Sequence, residues 1–599
     1  MASRAGAGRV RGRSAAAAEA ATAASLSGRD SRFAGNLDAQ AARELSSPAR
    51  RGVRALVPGL FAKVGQKAYR AANMAPSSSQ GLTDEASDEE RQSDALKKYT
   101  ESAPLATPLL GEDTGPMPLR ERNGVAVACA AGAALGALVF GYVLGFSSPS
   151  LPGMIGRVFS DVTCSGKTAA SATADLWSSI VNVGCMVGAL AGARVLDACG
   201  RRGALIYVAG PLYAGAWLLT AKAHDSGTLI AARVVLGAGV GVCSVAVPVY
   251  IAETAPVSLR GALGAANQLA VTIGIFLVYL FGLLEPHASL SYACGAKQEG
   301  MARGAWRRLA LVGAFLGGAL SAVGSLLPES PVWLQRRGRS AAAADALRRL
   351  RGGDADRAAA ELAKLADASN GGDDEGMSVS DVARALFSKS GDAAVRAPLL
   401  VAMVVMVCQQ FSGINAVIFF SGTILNSAGM ANQDLGGAIV MGIQVVATGI
   451  SCLLMDRAGR RPLLIGSLGG MALAAGTMSL YFALRPACPP WVALGALVVY
   501  IVSFSLGLGP IPWLLMAEIL PARARGVAAS AATLLNWTCS FVVTETFADL
   551  VQWIEPAGAF LVFAGVCVAG CGYVLVAVPE TKGLQLAEVE ALFVARRSD

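Results

Sequence analysis

The charged residues that could do chemistry in this chain come in two matching sets. Asp197-Ala198-Cys199-Gly200-Arg201-Arg202 and Asp456-Arg457-Ala458-Gly459-Arg460-Arg461 spell one motif, DxxGRR, twice. An offset of roughly 250 to 265 residues also relates Glu253 and Arg260 to Glu518 and Arg525, and Pro328-Glu329-Ser330 to Pro579-Glu580-Thr581. A whole half of the chain is therefore copied head to tail. Such groups can make and break ion pairs, which is the chemistry of a gate rather than of bond cleavage. Catalytic sets are missing. The only two histidines, His224 and His287, fall in loops, so no His-based nucleophile, acid–base pair or zinc site assembles. No GxxxxGKS/T loop is present to hold a nucleotide. The chain is expected not to be an enzyme and to need no metal or other cofactor.

The elements that must position these residues are membrane helices. Of 599 residues, 54% are hydrophobic and 15% charged, too apolar for a soluble globular chain. Windows of about 20 apolar residues, the length that crosses a bilayer as helix, recur six times between Val125 and Leu327 and six times between Pro398 and Val578. The expected fold is an all-α membrane protein, with twelve transmembrane helices in two six-helix bundles, residues 123–331 and 397–578. Between them, residues 332–396 form an Ala- and Arg-rich insert with charges at helical spacing, read as short amphipathic cytosolic helices that brace the bundles. Residues 579–599 are a cytosolic tail.

Basic residues set the orientation, because Lys and Arg in short loops resist translocation. Loops after even-numbered spans hold Arg201, Arg202, Arg260, Arg336 to Arg351, Arg457 to Arg461, Arg523 and Arg525. These loops and both termini are expected to face the cytosol. The net charge of +8 is then mostly topology, and no nucleic-acid partner is implied. Residues 1–122 read as a disordered extension. Its first 72 residues, rich in Ala, Arg and Ser and nearly free of acids, fit either an organelle transit peptide or a cytosolic tail. Cys164, Cys294 and Cys488 lie in loops on the non-cytosolic side, where one disulfide among them is conceivable.

Further motifs appear in order along residues 123 to about 590. They are Arg233-Val234-Val235-Leu236-Gly237 and Pro248-Val249-Tyr250-Ile251-Ala252-Glu253, then Pro328-Glu329-Ser330-Pro331, Gln409-Gln410-Phe411-Ser412-Gly413-Ile414-Asn415, Gly509-Pro510-Ile511-Pro512-Trp513 and Asn536-Trp537. With them the chain resembles the sugar porter family of the major facilitator superfamily. The resemblance implies that Gln268 in span five, Gln409, Gln410 and Asn415 in span seven, Trp513 in span ten and Asn536 in span eleven contact a sugar, with Gln444 and Trp537 beside them. Carboxamides suit that task, since they both donate to and accept from hydroxyls without the cost of burying a charge; the alternative is that they only bond helix to helix. Trp513 adds a flat apolar face for the C–H side of a sugar ring.

The resemblance also gives a gating role to Asp197, Arg201, Arg202, Glu253, Arg260, Glu329, Asp456, Arg460, Arg461, Glu518 and Arg525, which would join the halves in one state and part in the other. Two departures, Ala198 and Val332, replace basic residues usual in the family and weaken the first copy of this set. Proton-coupled members carry a carboxylate after Phe-Gly-Tyr in span one. Here Phe140-Gly141-Tyr142 is followed by Val143. The reading is therefore alternating-access transport of a hexose, with glucose the first candidate, by facilitated diffusion; the alternatives are a proton symporter of sugar or polyol and a sugar sensor. The expected partners are the sugar and the lipid bilayer, with the chain acting as a monomer. Gly145-Phe146-Ser147-Ser148-Pro149 is similar to the branch of intracellular animal and plant endomembrane carriers, which points to an endomembrane or plastid envelope rather than the plasma membrane.

Overall fold

The computed structural model describes residues 123–595 apart from 166–167, 257–258, 292–296, 303, 371–376, 388–391, 431, 486, 522 and 585. The N-terminal extension, residues 1–122, lies outside them. Ten helices among the described residues are long and apolar enough to cross a membrane. Two of these, Ala172–Lys222 and Arg525–Ala577, run for 51 and 53 residues. At about 1.5 Å per residue that is on the order of 75 Å, over twice the hydrocarbon thickness of a bilayer. Each must therefore cross twice, and each is sharply broken on the way, at Gly200 (φ 83°, ψ 172°) and at Glu555 (φ 60°, ψ 166°). Counted so, they are spans two and three and spans eleven and twelve, and the total is the twelve expected from the hydropathy windows. The others are span one (Gly124–Met154), four (Ser226–Thr254), five (Arg260–Leu284), six (Trp306–Leu326), seven (Ala394–Ser427), eight (Gln433–Met455), nine (Arg460–Ala483) and ten (Trp491–Ile519).

Lipid tails are as apolar as leucine, so these helices associate by close backbone contact rather than by hiding oil from water. Spans two and four show it. A Cβ on Gly184 would lie 2.1 Å from the Val234 carbonyl oxygen, and one on Gly237 would lie 2.0 Å from that of Val181. Only hydrogen fits at either position.

Two spans are interrupted in mid-course. Span seven stops at Phe411 and restarts at Ile414 after Gly413, whose φ of 94° favours glycine. Span ten stops at Leu506 and restarts at Ile511, after Pro510. Both interruptions release backbone groups inside the bundle, where they need side-chain partners or a polar cavity.

Two antiparallel hairpins, β1 (Val162–Ser165) with β2 (Thr168–Ser171) and β3 (His287–Ser291) with β4 (Lys297–Met301), connect spans one to two and five to six. Both segments read as plain loops from sequence. Of the three loop cysteines, Cys488 is a free thiol; Cys294 and the side chain of Cys164 lie outside the described residues. The insert forms helices at Ser340–Leu350, Ala355–Asn370 and Val379–Phe387. It touches both halves. Arg351 pairs with Glu361 at 2.7 Å and donates to the Thr254 carbonyl at the end of span four, while the Met377 N–H donates to the Arg523 carbonyl.

Candidate functional site

A cavity of about 470 Å³ lies between the bundles, and every carboxamide singled out from the sequence lines it: Gln268, Gln409, Gln410, Asn415, Gln444 and Asn536. Trp513 and Trp537 line it as well. The amides bond to one another in series. Gln409 donates to the Leu508 and Gly509 carbonyls at the break in span ten, at 2.8 and 3.0 Å, and accepts from the Asn536 amide at 2.9 Å. Asn536 in turn accepts from Gln410 at 3.0 Å, and Gln410 accepts from Asn415 at 2.7 Å. Four amides from spans seven and eleven thus stand in one fixed array, each oriented by the next.

Some capacity is left over. The Gln444 carbonyl oxygen and the Trp537 indole N–H are buried with no hydrogen-bond partner among the described residues. A buried polar atom without a partner costs roughly 1–3 kcal/mol, so both are placed to gain from a polar solute entering the cavity. The cavity walls are otherwise apolar, with Phe140, Ile275, Ile418 and Phe504 among them. Phe140 also packs on Trp537 at 5.7 Å. Phe420 stacks on Phe547 at 5.5 Å in the core.

One end of the cavity reaches Arg260, Arg460 and Glu518, and so the face that carries the DxxGRR loops, here called the motif face. The other end is closed by bonds between the bundles. Ser148 of span one meets Ser421 of span seven at 3.1 Å and accepts from the Gly422 N–H at 3.0 Å. The Tyr279 hydroxyl of span five donates to the Ile418 carbonyl at 2.7 Å. Asn182 of span two accepts from Ser540 and donates to Thr544, both of span eleven, at 2.8 and 3.1 Å, and Ser179 donates to Glu545 at 2.5 Å. None of these residues was read from sequence as part of a seal, because a Ser, Asn or Tyr in a span gives no sign of which helix it faces.

At the motif face the charge sets form two internal copies. Arg201 pairs with Glu253 at 2.9 Å, and Arg460 with Glu518 at 2.9 Å. Glu329 accepts the backbone N–H groups of Arg201 and Arg202 at 2.9 and 3.1 Å, and Glu580 those of Arg460 and Arg461 at 2.9 and 3.0 Å. Each carboxylate caps the start of a helix, where free N–H groups and the helix dipole favour an anion. This explains the glycine of DxxGRR. A Cβ on Gly200 would sit 2.3 Å from the Glu329 carboxylate and one on Gly459 2.7 Å from that of Glu580, and both glycines hold positive φ. Ser330 and Thr581 close each copy by donating to Glu253 and to Glu518. Arg202 and Arg461 donate to carbonyls of spans six and twelve. Arg525 bonds the Leu520 carbonyl at 3.2 Å, and Asp197 is exposed, 3.9 Å from Arg201. The side chain of Asp456 lies outside the described residues. Every bond named here stays inside one half.

Arg233 is buried in span four. It donates to the Val143 carbonyl at 2.9 Å and to Ser147 at 2.5 Å, and stacks over Trp177 at 4.7 Å. Among the described residues no carboxylate pairs with it.

Residues 129–593 match the family model described as Sugar (and other) transporter. The chain belongs to the sugar porter family of the major facilitator superfamily. It is a multi-pass membrane transporter of sugar and not an enzyme. It is 36% identical to Sugar transporter ERD6-like 6 of Arabidopsis thaliana, over 79% of this chain and 92% of that protein. To the Facilitated trehalose transporter Tret1 of Culex quinquefasciatus it is 35% identical, over 78% and 86%. Among solved structures it is similar to the proton:xylose symporter XylE bound to 6-bromo-6-deoxy-D-glucose, with a TM-score of 0.65 and 25% identity over 79% of this chain and 100% of that one. The sugar porter fold thus accounts for the two bundles, the broken spans seven and ten and the cavity between them.

Proposed function

We propose that this sugar porter carries a hexose, glucose first among candidates, by alternating access without a coupled ion. The observation that carries the substrate class is the amide array: Gln268, Gln409, Gln410, Asn415 and Asn536 present donors and acceptors but no charge, as a polyhydroxyl solute requires. Gln444 and Trp537 add the unpaired acceptor and donor, and Trp513 the flat face. Proteins similar to this one are described as carrying trehalose and xylose, which supports a sugar and leaves its identity to experiment.

The absence of coupling is read from Val143 and Arg233. Span one has Val143 where a titratable group would serve, and the guanidinium it would face bonds a carbonyl and a hydroxyl and stacks on an indole instead, with its Nε unpartnered among the described residues. A proton then has no carrier beside the sugar. The motif face, by its concentration of arginine, is the cytosolic one, and both termini lie on that side. The cavity opening there and sealed opposite is the inward-open state. In the outward-open state Glu253, Arg260, Glu518 and Arg525 would re-pair across the halves, with Asp197, Arg201, Arg202, Glu329, Asp456, Arg460 and Arg461 holding each copy in shape. The membrane of residence is read as an endomembrane or plastid envelope, and the monomer as the working unit.

Purified protein in liposomes, tested for labelled-glucose counterflow with and without a pH gradient, decides the matter. Counterflow that ignores the gradient supports this reading. Accumulation driven by the gradient would establish symport instead, and binding without flux a sensor.

A further inference from the structure

The seal opposite the motif face contains one contact of a different kind from the rest. His287, the first residue of β3 after span five, meets Asp434, at the start of span eight, with Nε2 3.1 Å from a carboxylate oxygen. The pair joins the two bundles. It is set apart from the amide array and from the duplicated charge sets, and nothing in the transport reading uses it. Asp434 is buried, sits in the first turn of its helix where the dipole favours an anion, and is held in place by the Asn432 cap on the Leu435 N–H at 2.9 Å. His287 is about one third exposed, so protons from that side can reach it.

We propose that His287 and Asp434 form a proton-operated latch that holds the carrier closed on the face opposite the DxxGRR loops. A neutral imidazole gives Asp434 at best one ordinary hydrogen bond; an imidazolium gives it an ion pair with a charge-assisted bond. The pair exists only while the bundles are together on this face, because a carrier open there must part span five's hairpin from span eight. A proton that strengthens a contact present in one state and absent in the other shifts the balance toward the first. Acid on this face therefore favours the closed state, and loss of the proton as pH rises releases it.

The other ionisable groups around the pair do not compete for this role. Glu285, two residues before His287, is taken by Arg308 of span six, 2.8 Å from its guanidinium Nε. Tyr279 of span five, close enough to Asp434 to feel its charge, uses its hydroxyl on Ser421 and the Ile418 carbonyl. The side chains of residues 289–300 on the same hairpin lie outside the described residues. The chain holds only one other histidine, His224, so few side chains change charge between pH 7.5 and 5.5.

The latch rests on the alternating-access reading but not on the identity of the solute, and its test needs no sugar. Spin labels on keto amino acids at Lys222 and Trp491, both exposed at the sealed ends of spans three and ten, report the opening of this face and leave the native thiols untouched. In purified full-length protein, going from pH 7.5 to 5.5 is expected to raise the ratio of short to long distances by about two- to fivefold, the range of a partly exposed ion pair. His287→Gln and Asp434→Asn are expected to lose that response, His224→Gln to keep it, and His287→Lys to give the short distance at both pH values. A wild-type distribution that does not move with pH overturns the latch, as does a response that survives in His287→Gln. Should one variant fail to fold, His287→Lys and the wild type decide between them.

Discussion

Removing the Gln409 side chain tests the amide array at the residue that ties it to the backbone. Gln409 is 3% exposed and makes three bonds: two to the Leu508 and Gly509 carbonyls and one from Asn536. Gln409→Ala deletes all three. The carbonyls are those freed by the break in span ten, so their loss of a donor loosens the segment that presents Trp513. Bonds between membrane helices average about 0.6 kcal/mol, which sets a structural cost on the order of 2 kcal/mol and a fall of several degrees in Tm. Separately, a sugar hydroxyl that Gln409 would have met is left unpaired in a closed cavity, at roughly 1–3 kcal/mol. Only this second part enters transport directly, and it corresponds to a fall in kcat/KM of about five- to 150-fold. Labelled-glucose counterflow at matched reconstituted protein, with a thermal melt beside it, separates the two costs. Transport within twofold of wild type, at a lowered Tm, would mean that Gln409 braces span ten and does not touch the solute.

Three further expectations follow from other parts of the structure. Gly200→Ala places a Cβ 2.3 Å from the Glu329 carboxylate at a φ of 83°; a loss of at least about 1–3 kcal/mol is expected in denaturant melts, and Gly459→Ala should behave alike if the two copies are equivalent. Asn182→Ala removes two bonds of the seal, to Ser540 and Thr544; at about 0.6 kcal/mol each, the open form of that face gains roughly sevenfold, read as a lower KM for sugar presented there, and an unchanged KM would show the seal lies elsewhere. Val143→Asp sets a carboxylate beside Arg233; uptake is expected to become dependent on external pH, and pH-independent uptake would remove the argument from Val143 for an uncoupled carrier.

Much of this was readable in the residues themselves because the signals are local. Twelve apolar windows and the two DxxGRR copies each follow from a few adjacent residues, and the structure has all of them. The amides were readable too, since Gln409 and Asn536 carry polarity that a lipid-facing helix cannot afford. What the sequence did not show is pairing over distance. Nothing at Asn182 points to Ser540, 358 positions later, and nothing at Tyr279 points to Ser421. The same holds for Glu329, whose bond to the Arg201 N–H spans 128 positions; the motif glycine was visible, but not the carboxylate that demands it. The hairpin at His287 was missed because its strands are short and the second, Lys297–Met301, carries no alternating pattern.

The central claim is that an uncharged array on spans five, seven, ten and eleven takes the place of a sugar's water. An experimental structure with 6-bromo-6-deoxy-D-glucose bound tests it most directly, because bromine marks the ligand's position. The expected result is a sugar in the cavity, with hydroxyls within hydrogen-bonding distance of Gln409, Gln410 and Asn536 and its ring against Trp513. A sugar bound outside that cavity, or density there that leaves these amides bonded only to one another, would contradict the account.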